Sequence, residues 1–257
     1  MSEKSVMKKK KVKTILVSQP EPTAENSPFF QLAKKTKVKI DFVPFIHIEG
    51  VHAREIRKQK ITLPDFSAII FTSRNAVDHY FRLAEEMRYQ VPSTMRYYCQ
   101  SEAIALYLQR YIVYRKRKIY YGNKTVSDLG NIIQKNPEGK FLLPSSDKLK
   151  PAIPKVLNET GIEWQSATFF KTCVSDLSDL KDVYYDVLVF YSPSGIKSLY
   201  KNFPDFKQNE TRIAVYGNST AKAAEEKGLR IDIMAPTQKN PSMTMALQKY
   251  VEEANKR

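Results

Sequence analysis

The chain repeats itself. An apolar strand that breaks off in hydroxyl residues and leads at once into a helical pattern occurs as AIIFTSRNAVDHYF at residues 68–81. It occurs again as VLVFYSPSGI at residues 187–196. Aligning the phrases sets Ser73 opposite Ser192, Asn75 opposite Ser194 and Val77 opposite Ile196, a displacement of 119 positions. A second pair, MRYYCQSEAIALYL (95–108) and TRIAVYGNSTAKAA (211–224), sets Cys99 opposite Gly217 and Ala103 opposite Ala221 at a displacement of 118. Two matches at nearly one displacement identify a duplicated α/β unit, and such self-similarity restricts the fold before any single element is assigned.

A third pair changes register. ILVSQPEPTAENSPFFQLAKK (15–35) is similar to FLLPSSDKLKPAIPKVLNE (141–159), with Ser18 opposite Ser145 at a displacement of 127. A unit that ends one half therefore begins the other. The simplest arrangement is two lobes, in which the chain starts lobe 1, leaves to build all of lobe 2, and returns.

Strands are expected over 12–18, 38–48, 68–73, 95–99, 112–114, 140–144, 165–173, 187–191, 212–216 and 231–234, with helices between most of them. Strand, helix, strand is the pattern of a parallel sheet covered on both faces. VPFIHIEGV (43–51) and SATFFKTCV (166–174) carry no helix signals and sit where the duplication puts the crossings between lobes. The expected fold class is thus α/β: two similar lobes, each a parallel sheet flanked by helices, joined by a two-stranded β ladder. Lobe 1 takes residues 1–45 and 174–257, lobe 2 takes 50–166, and 43–51 pairs with 166–174. A ligand cleft between the lobes is the default site.

The net charge of +15 calls for an anionic partner. The densest basic cluster, YIVYRKRKIYY (111–121), mixes cations with tyrosines as an RNA-stacking stripe does. A short strand pair with solvated charges at the turn is the preferred reading. With no zinc-finger spacing and no RNP phrase, a nucleic-acid partner is not expected. No apolar run approaches the ~20 residues that cross a bilayer, so no membrane partner is expected either. The start, MSEKSVMKKKKVK, lacks an apolar h-region and reads as a frayed, solvated tail rather than a secretory signal. Two cysteines, Cys99 and Cys173, are too few for a disulfide framework and fit a reducing cytoplasm. A monomer is expected.

In a parallel sheet, ligands sit outside the carboxyl ends of the strands. The loops there are SQPEP (18–22), TSRN (72–75), CQSE (99–102), PSSDK (144–148), YSPSG (191–195) and YGNST (216–220). Most open a helix, whose first N–H groups and partial positive charge suit a carboxylate or phosphate. Any one of them is an ordinary cap; six in a strongly basic chain point to an anion site. Covalent chemistry has little support. His47, His52 and His79 lack metal-ligand spacing, YSPSG is not a GxSxG elbow, and GNST lacks the GxxxxGK[ST] of a P-loop.

FTSRNAV, VFYSPSGIKSL and GNST-A followed by APT…SMTMAL, together with GNKTVSDLGNII (122–133) and LLPSSDKLKPAIPKVL (142–157), occur in the order and spacing of one family. The chain resembles uroporphyrinogen-III synthase from about Lys13 to the C-terminal helix. The resemblance implies two α/β lobes, one discontinuous, and the substrate hydroxymethylbilane, a linear tetrapyrrole with eight carboxylates. The reaction removes the terminal hydroxyl as water, inverts the fourth pyrrole ring through a spiro intermediate and closes the macrocycle, with no metal or organic cofactor. The bilane closes by itself without ring inversion, so the protein must choose a closure by holding the carboxylate arms in near-attack geometry.

Carried over by position, Thr220 is the candidate catalytic side chain, in Gly217-Asn218-Ser219-Thr220-Ala221 where the family writes Gly-Pro-Thr-Thr-Ala. Ser73, Asn75, Ser192, Ser194, Gly195, Asn218 and Ser219 are implied contacts to carboxylate arms, with Gln19 and Ser145 in the matching loops and Lys148 and Lys171 to meet propionates or acetates. Three positions depart from the family's pattern. Phe170-Lys171-Thr172 replaces a Tyr-x-Thr phrase, so a phenol proton is missing there. Gln19 stands for a frequent Arg, and Glu102 for a frequent Thr. Phe170 and Glu102 favour the alternative, a two-lobed binding module for another polyanion or tetrapyrrole without turnover.

Overall fold

The structure, a computed structural model, describes residues 10–256. The first nine residues, expected as part of the frayed basic tail, lie outside them. In chain order the elements are β1 (Thr14–Val17), α1 (Pro28–Thr36), β2 (Lys39–Phe42), β3 (Ile46–Gly50), α2 (Ala53–Lys58), β4 (Ala68–Phe71), α3 (Arg74–Glu86), β5 (Arg96–Cys99), α4 (Glu102–Tyr107) and β6 (Ile119–Tyr121). They continue with α5 (Val126–Lys135), β7 (Lys140–Ser146), α6 (Ala152–Glu159), β8 (Glu163–Val174), β9 (Val187–Phe190), α7 (Pro193–Asn202), β10 (Arg212–Tyr216), α8 (Asn218–Glu225), β11 (Ile231–Ala235) and α9 (Met243–Asn255). The chain divides into two compact units. One runs to His47 and resumes at Cys173; the other is Ile48–Thr172.

The first unit holds a five-stranded parallel sheet in the order β11-β10-β9-β1-β2. Its central strands read as near-continuous apolar runs because helices cover both faces. Side chains alternate between those faces. Ile15 and Val17 pack with Leu32 of α1 and Leu247 and Val251 of α9. Leu16, Leu188 and Phe190 pack on the other side with Ile196 and Leu199 of α7 and Ala221 and Ala224 of α8.

The second unit holds six strands in the order β3-β8-β7-β4-β5-β6. Five are parallel. Ile69 and Phe71 face Ile56, Val77, Tyr80 and Leu83, while Ala68 and Ile70 face Leu129, Ile133, Ile153 and Leu157. α5 and α6 approach closely at Gly130, where a Cβ would stand 2.5 Å from Val156 Cγ1. The edge strand β3 runs against β8: Val51 N donates to Phe169 O at 2.9 Å, and Ser175 N to Phe45 O at 3.0 Å.

Three elements differ from expectation. The strand expected over 38–48 is interrupted between Phe42 and Ile46, around Pro44, which has no N–H to give a ladder; its first half joins one sheet and its second half the other. The strand expected over 166–174 begins at Glu163 and pairs with β7 as a full sheet member, so the connecting pair belongs to a mixed sheet. The strand expected over 112–114 is not one. Its segment alternates inward Ile112 and Tyr114 with outward Val113, and the edge strand is β6 instead.

Tyr80 is fully buried between Phe71, Phe81 and Phe169, and its hydroxyl has no hydrogen-bond partner. Burial pushes that phenol's pKa well up. A buried hydroxyl without a partner costs about 1–3 kcal/mol. Tyr80→Phe is therefore expected to raise the melting temperature by about 2–4 °C per kcal/mol recovered; a lowered melting temperature in a thermal scan would show that the hydroxyl is satisfied. Among the described residues no helix is long and apolar enough to cross a membrane.

Candidate active site

Parallel strands deliver their following turns to one edge of a sheet. In the first unit β1, β9 and β10 are neighbours, so the turns at Ser18-Gln19, Ser192–Gly195 and Gly217–Thr220 stand side by side. Ser18 N donates to Val189 O at 3.0 Å, and Gly217 N to Ala235 O at 2.7 Å. A Cβ placed on Gly195 would lie 3.3 Å from Phe190 Cδ1, 3.7 Å from Ser18 Oγ and 3.9 Å from Ser192 Oγ. Two hydroxyls from different turns thus converge on Gly195, which is itself buried at the foot of the turn.

Each turn is built by its own residues. Ser192 caps α7 and accepts from Gly195 N at 3.3 Å; Pro193 at the first helical position has no N–H that would need a partner. Gly217 opens α8 at φ +82°, a left-handed value that disfavours any side chain. Asn218 and Ser219 are exposed in the first turn. Thr220 is only 1% exposed and faces the core beside Ala221 and Ala224. At this edge Tyr191 and Tyr216 bring their rings to 5.5 Å, and burial pushes the Tyr191 phenol well up. Neither tyrosine was singled out from sequence. The available signal was their shared place at the end of adjacent apolar strands.

The second unit repeats the arrangement. Ser73 caps α3 and accepts from Ala76 N at 3.1 Å, with Asn75 exposed beside it. Gln100 N donates to Phe71 O at 2.9 Å, which ties the neighbouring turn to it. Glu102 is exposed and accepts from Tyr121 Oη at 3.3 Å. The turn after β7 starts later than expected. Pro144 and Ser145 still belong to the strand, and the buried Ser145 hydroxyl donates to Ala167 O at 3.1 Å. Past Leu142 no pairing with β4 remains, so Pro144 withholds no N–H that a second neighbour needs. Lys148 is exposed in that turn. Lys171 lies along β8 and pairs with Glu55 of α2 at 2.7 Å, which lowers the Glu55 carboxyl's pKa.

At the position where a tyrosine was expected, the Phe170 ring stacks on His79 at 5.2 Å. Burial, helped by Arg82, holds the His79 imidazole below its usual pKa.

A turn of this kind binds anions through geometry rather than titration. The cap oxygen accepts from the third helical N–H, which leaves its own O–H to donate outward. The first N–H groups of the helix have no partner within it. A carboxylate laid across the turn then meets several neutral donors at a positive helix end.

A model of the family described as uroporphyrinogen-III synthase HemD matches residues 28–245. The crystal structure of uroporphyrinogen-III synthetase from Helicobacter pylori is similar at a TM-score of 0.59 and 20% identity, over 94% of this chain and 99% of that one. A mutant uroporphyrinogen III synthase from the extreme thermophile Thermus thermophilus gives a TM-score of 0.53 and 16% identity, over 94% of this chain and 98% of that one. No curated protein matches the sequence. The solved structures share the fold, and because the family model spans most of its length, the chain belongs to the uroporphyrinogen-III synthase family.

Proposed function

We propose that the helix-start turns are where this enzyme holds the carboxylate arms of its substrate and so dictates how the ring closes. The family's reaction is its activity: hydroxymethylbilane, a linear tetrapyrrole, is cyclised to uroporphyrinogen III with loss of water and inversion of the fourth ring. The observation that carries the site is the convergence of the Ser18 and Ser192 hydroxyls on Gly195, repeated in kind by the Ser73 cap in the other unit.

In this reading Ser73, Asn75, Ser192, Ser194, Asn218 and Ser219 offer hydroxyl, amide and backbone donors, Gly195, whose own N–H goes to Ser192, leaves room beside them, and Gln19 extends the row after β1. Such donors are rigid and carry no charge, so they fix an arm without gripping it too tightly for release. Lys148 adds positive charge, while Lys171 acts through its pair with Glu55. Thr220 and Ser145 lie beneath their turns and hold them in shape. The bilane supplies the reactivity; fixed arms supply the geometry that makes ring inversion faster than direct closure. We take the enzyme to act as a monomer in the cytoplasm.

The test is isomer analysis. Freshly made hydroxymethylbilane incubated with the protein, then oxidised and separated, is expected to give the type III isomer in large excess. Type I alone at the uncatalysed rate, with or without tight binding of the bilane, would overturn the reading. Ser192→Ala and Ser73→Ala are each expected to lower kcat/KM about ten-fold, which corresponds to one lost hydrogen bond to a charged group. Parental rates in both would remove the caps from the site.

A further inference from the structure

We propose that residues 106–118 of the second unit form a docking surface for an anionic lipid bilayer. The segment from Tyr111 to Lys118 precedes β6, so it lies at the amino end of that strand, whereas the helix-start turns lie at the carboxyl ends. Its outward residues are Tyr111, Val113 and Arg115, followed by Lys116 and Arg117 in a turn. Val113 is 80% exposed, the largest value among the exposed large hydrophobic residues described. Leu106, half exposed, lies a few residues upstream. Five cations, Arg110, Arg115, Lys116, Arg117 and Lys118, occur here without one acid. Two acids, Asp78 and Glu102, stand near these five cations, each held by phenol hydroxyls. Asp78 accepts from Tyr107 Oη at 3.1 Å and Tyr111 Oη at 2.5 Å, and Glu102 accepts from Tyr121 Oη.

A basic surface with tyrosines also suits single-stranded nucleic acid, but these rings are already occupied. Tyr111 stacks on Phe81 with centroids 4.7 Å apart and planes 4° off parallel. Tyr107 carries the guanidinium groups of Arg74 and Arg110 at 5.3 and 5.1 Å from its centroid. Tyr111 keeps 40% of its surface exposed, but the side chain that projects furthest is the aliphatic Val113, which has nothing to offer a base. An exposed aliphatic tip ringed by cations is the chemistry of shallow insertion between anionic headgroups. The segment spans nothing; it would rest on one leaflet.

The test is co-sedimentation of the full chain with vesicles of phosphatidylcholine alone and of phosphatidylcholine with phosphatidylglycerol, at low and high salt. Binding only to the anionic vesicles, weakened by salt, is expected. The triple variant Arg115→Gln, Lys116→Gln, Arg117→Gln is expected to lower partitioning about 100-fold, from about five-fold per cation. Val113→Asp is expected to weaken it further while synthase activity stays unchanged, because both sets of side chains are exposed and precede β6, at the end of the strand opposite the turns. Absence of binding to anionic vesicles would overturn the proposal, as would binding that the triple variant leaves intact. Tighter, variant-sensitive binding to single-stranded RNA would also overturn it and give the surface to nucleic acid.

Discussion

Gly195→Val is expected to lower kcat/KM about 100-fold, or about 2.7 kcal/mol of transition-state stabilisation. The first carbon of any side chain at this position already lies 3.3 Å from Phe190 Cδ1. The branched methyls of valine extend further, toward the Ser18 and Ser192 hydroxyls, and occupy the place a carboxylate would take. Gly195→Ala separates the two causes. Alanine gains up to about 1 kcal/mol of helix propensity over glycine, which offsets a tight contact with the fully buried Phe190 ring. The alanine variant should therefore fold about as well as the parent while losing only part of the activity. Equal activity in parent and valine variant, with the type III isomer still dominant, would place the carboxylate arms elsewhere.

The second large effect is on stability, at the opposite end of the same strands. Asp186, just before β9, accepts from Lys13 N at 2.7 Å, Thr14 N at 3.0 Å and Thr14 Oγ1 at 3.2 Å. Beside it Arg212 is almost fully buried, with its Nη1 4.0 Å from Asp186 and its Nη2 donating to Lys10 O at 2.6 Å. Asp186→Ala strips the start of β1 of its acceptor and leaves the guanidinium without a counter-charge. A loss of about 3 kcal/mol is expected, seen as a lower urea midpoint at unchanged slope. Asp186→Asn keeps an oxygen for the amides and should lose less. The isomer ratio per folded molecule should not change, because Asp186 sits at the amino end of β9 and the turns at its carboxyl end. A loss below about 1 kcal/mol would mean that water replaces the carboxylate at this junction.

The two predictions divide the first unit by function. One end of its strands carries helix starts and exposed donors; the other carries the ion pair that anchors β1 beside β9 and β10. Only the helix-start half of that division was legible in the sequence. The phrase around Ser73 and Ser192 contains a strand, its stop and its cap within a few residues, so each unit is written locally. The duplicated spacing then implied two α/β lobes. Ser73 and Ser192 do cap their helices, and Gly217 does open α8. The tyrosine pair Tyr191–Tyr216 was not legible, because its members come from separate strands that meet only through sheet order.

Sequence alone determined the repeated strand-turn-helix grammar and the parallel strands it builds, which follow from apolar period and capping acting over a turn or two of chain; the family resemblance came from the order and spacing of whole phrases. Only tertiary structure decided which polar side chains at the turns are presented. Thr220 turns into the core, Ser145 gives its hydroxyl to Ala167, and Lys171 finds Glu55 on a helix 116 residues away. The same holds for β8, which became a sheet member because β7 had an open edge for it. A side chain's direction is set by the neighbours that packing brings to it, and those neighbours lie far along the chain, beyond the reach of any local pattern.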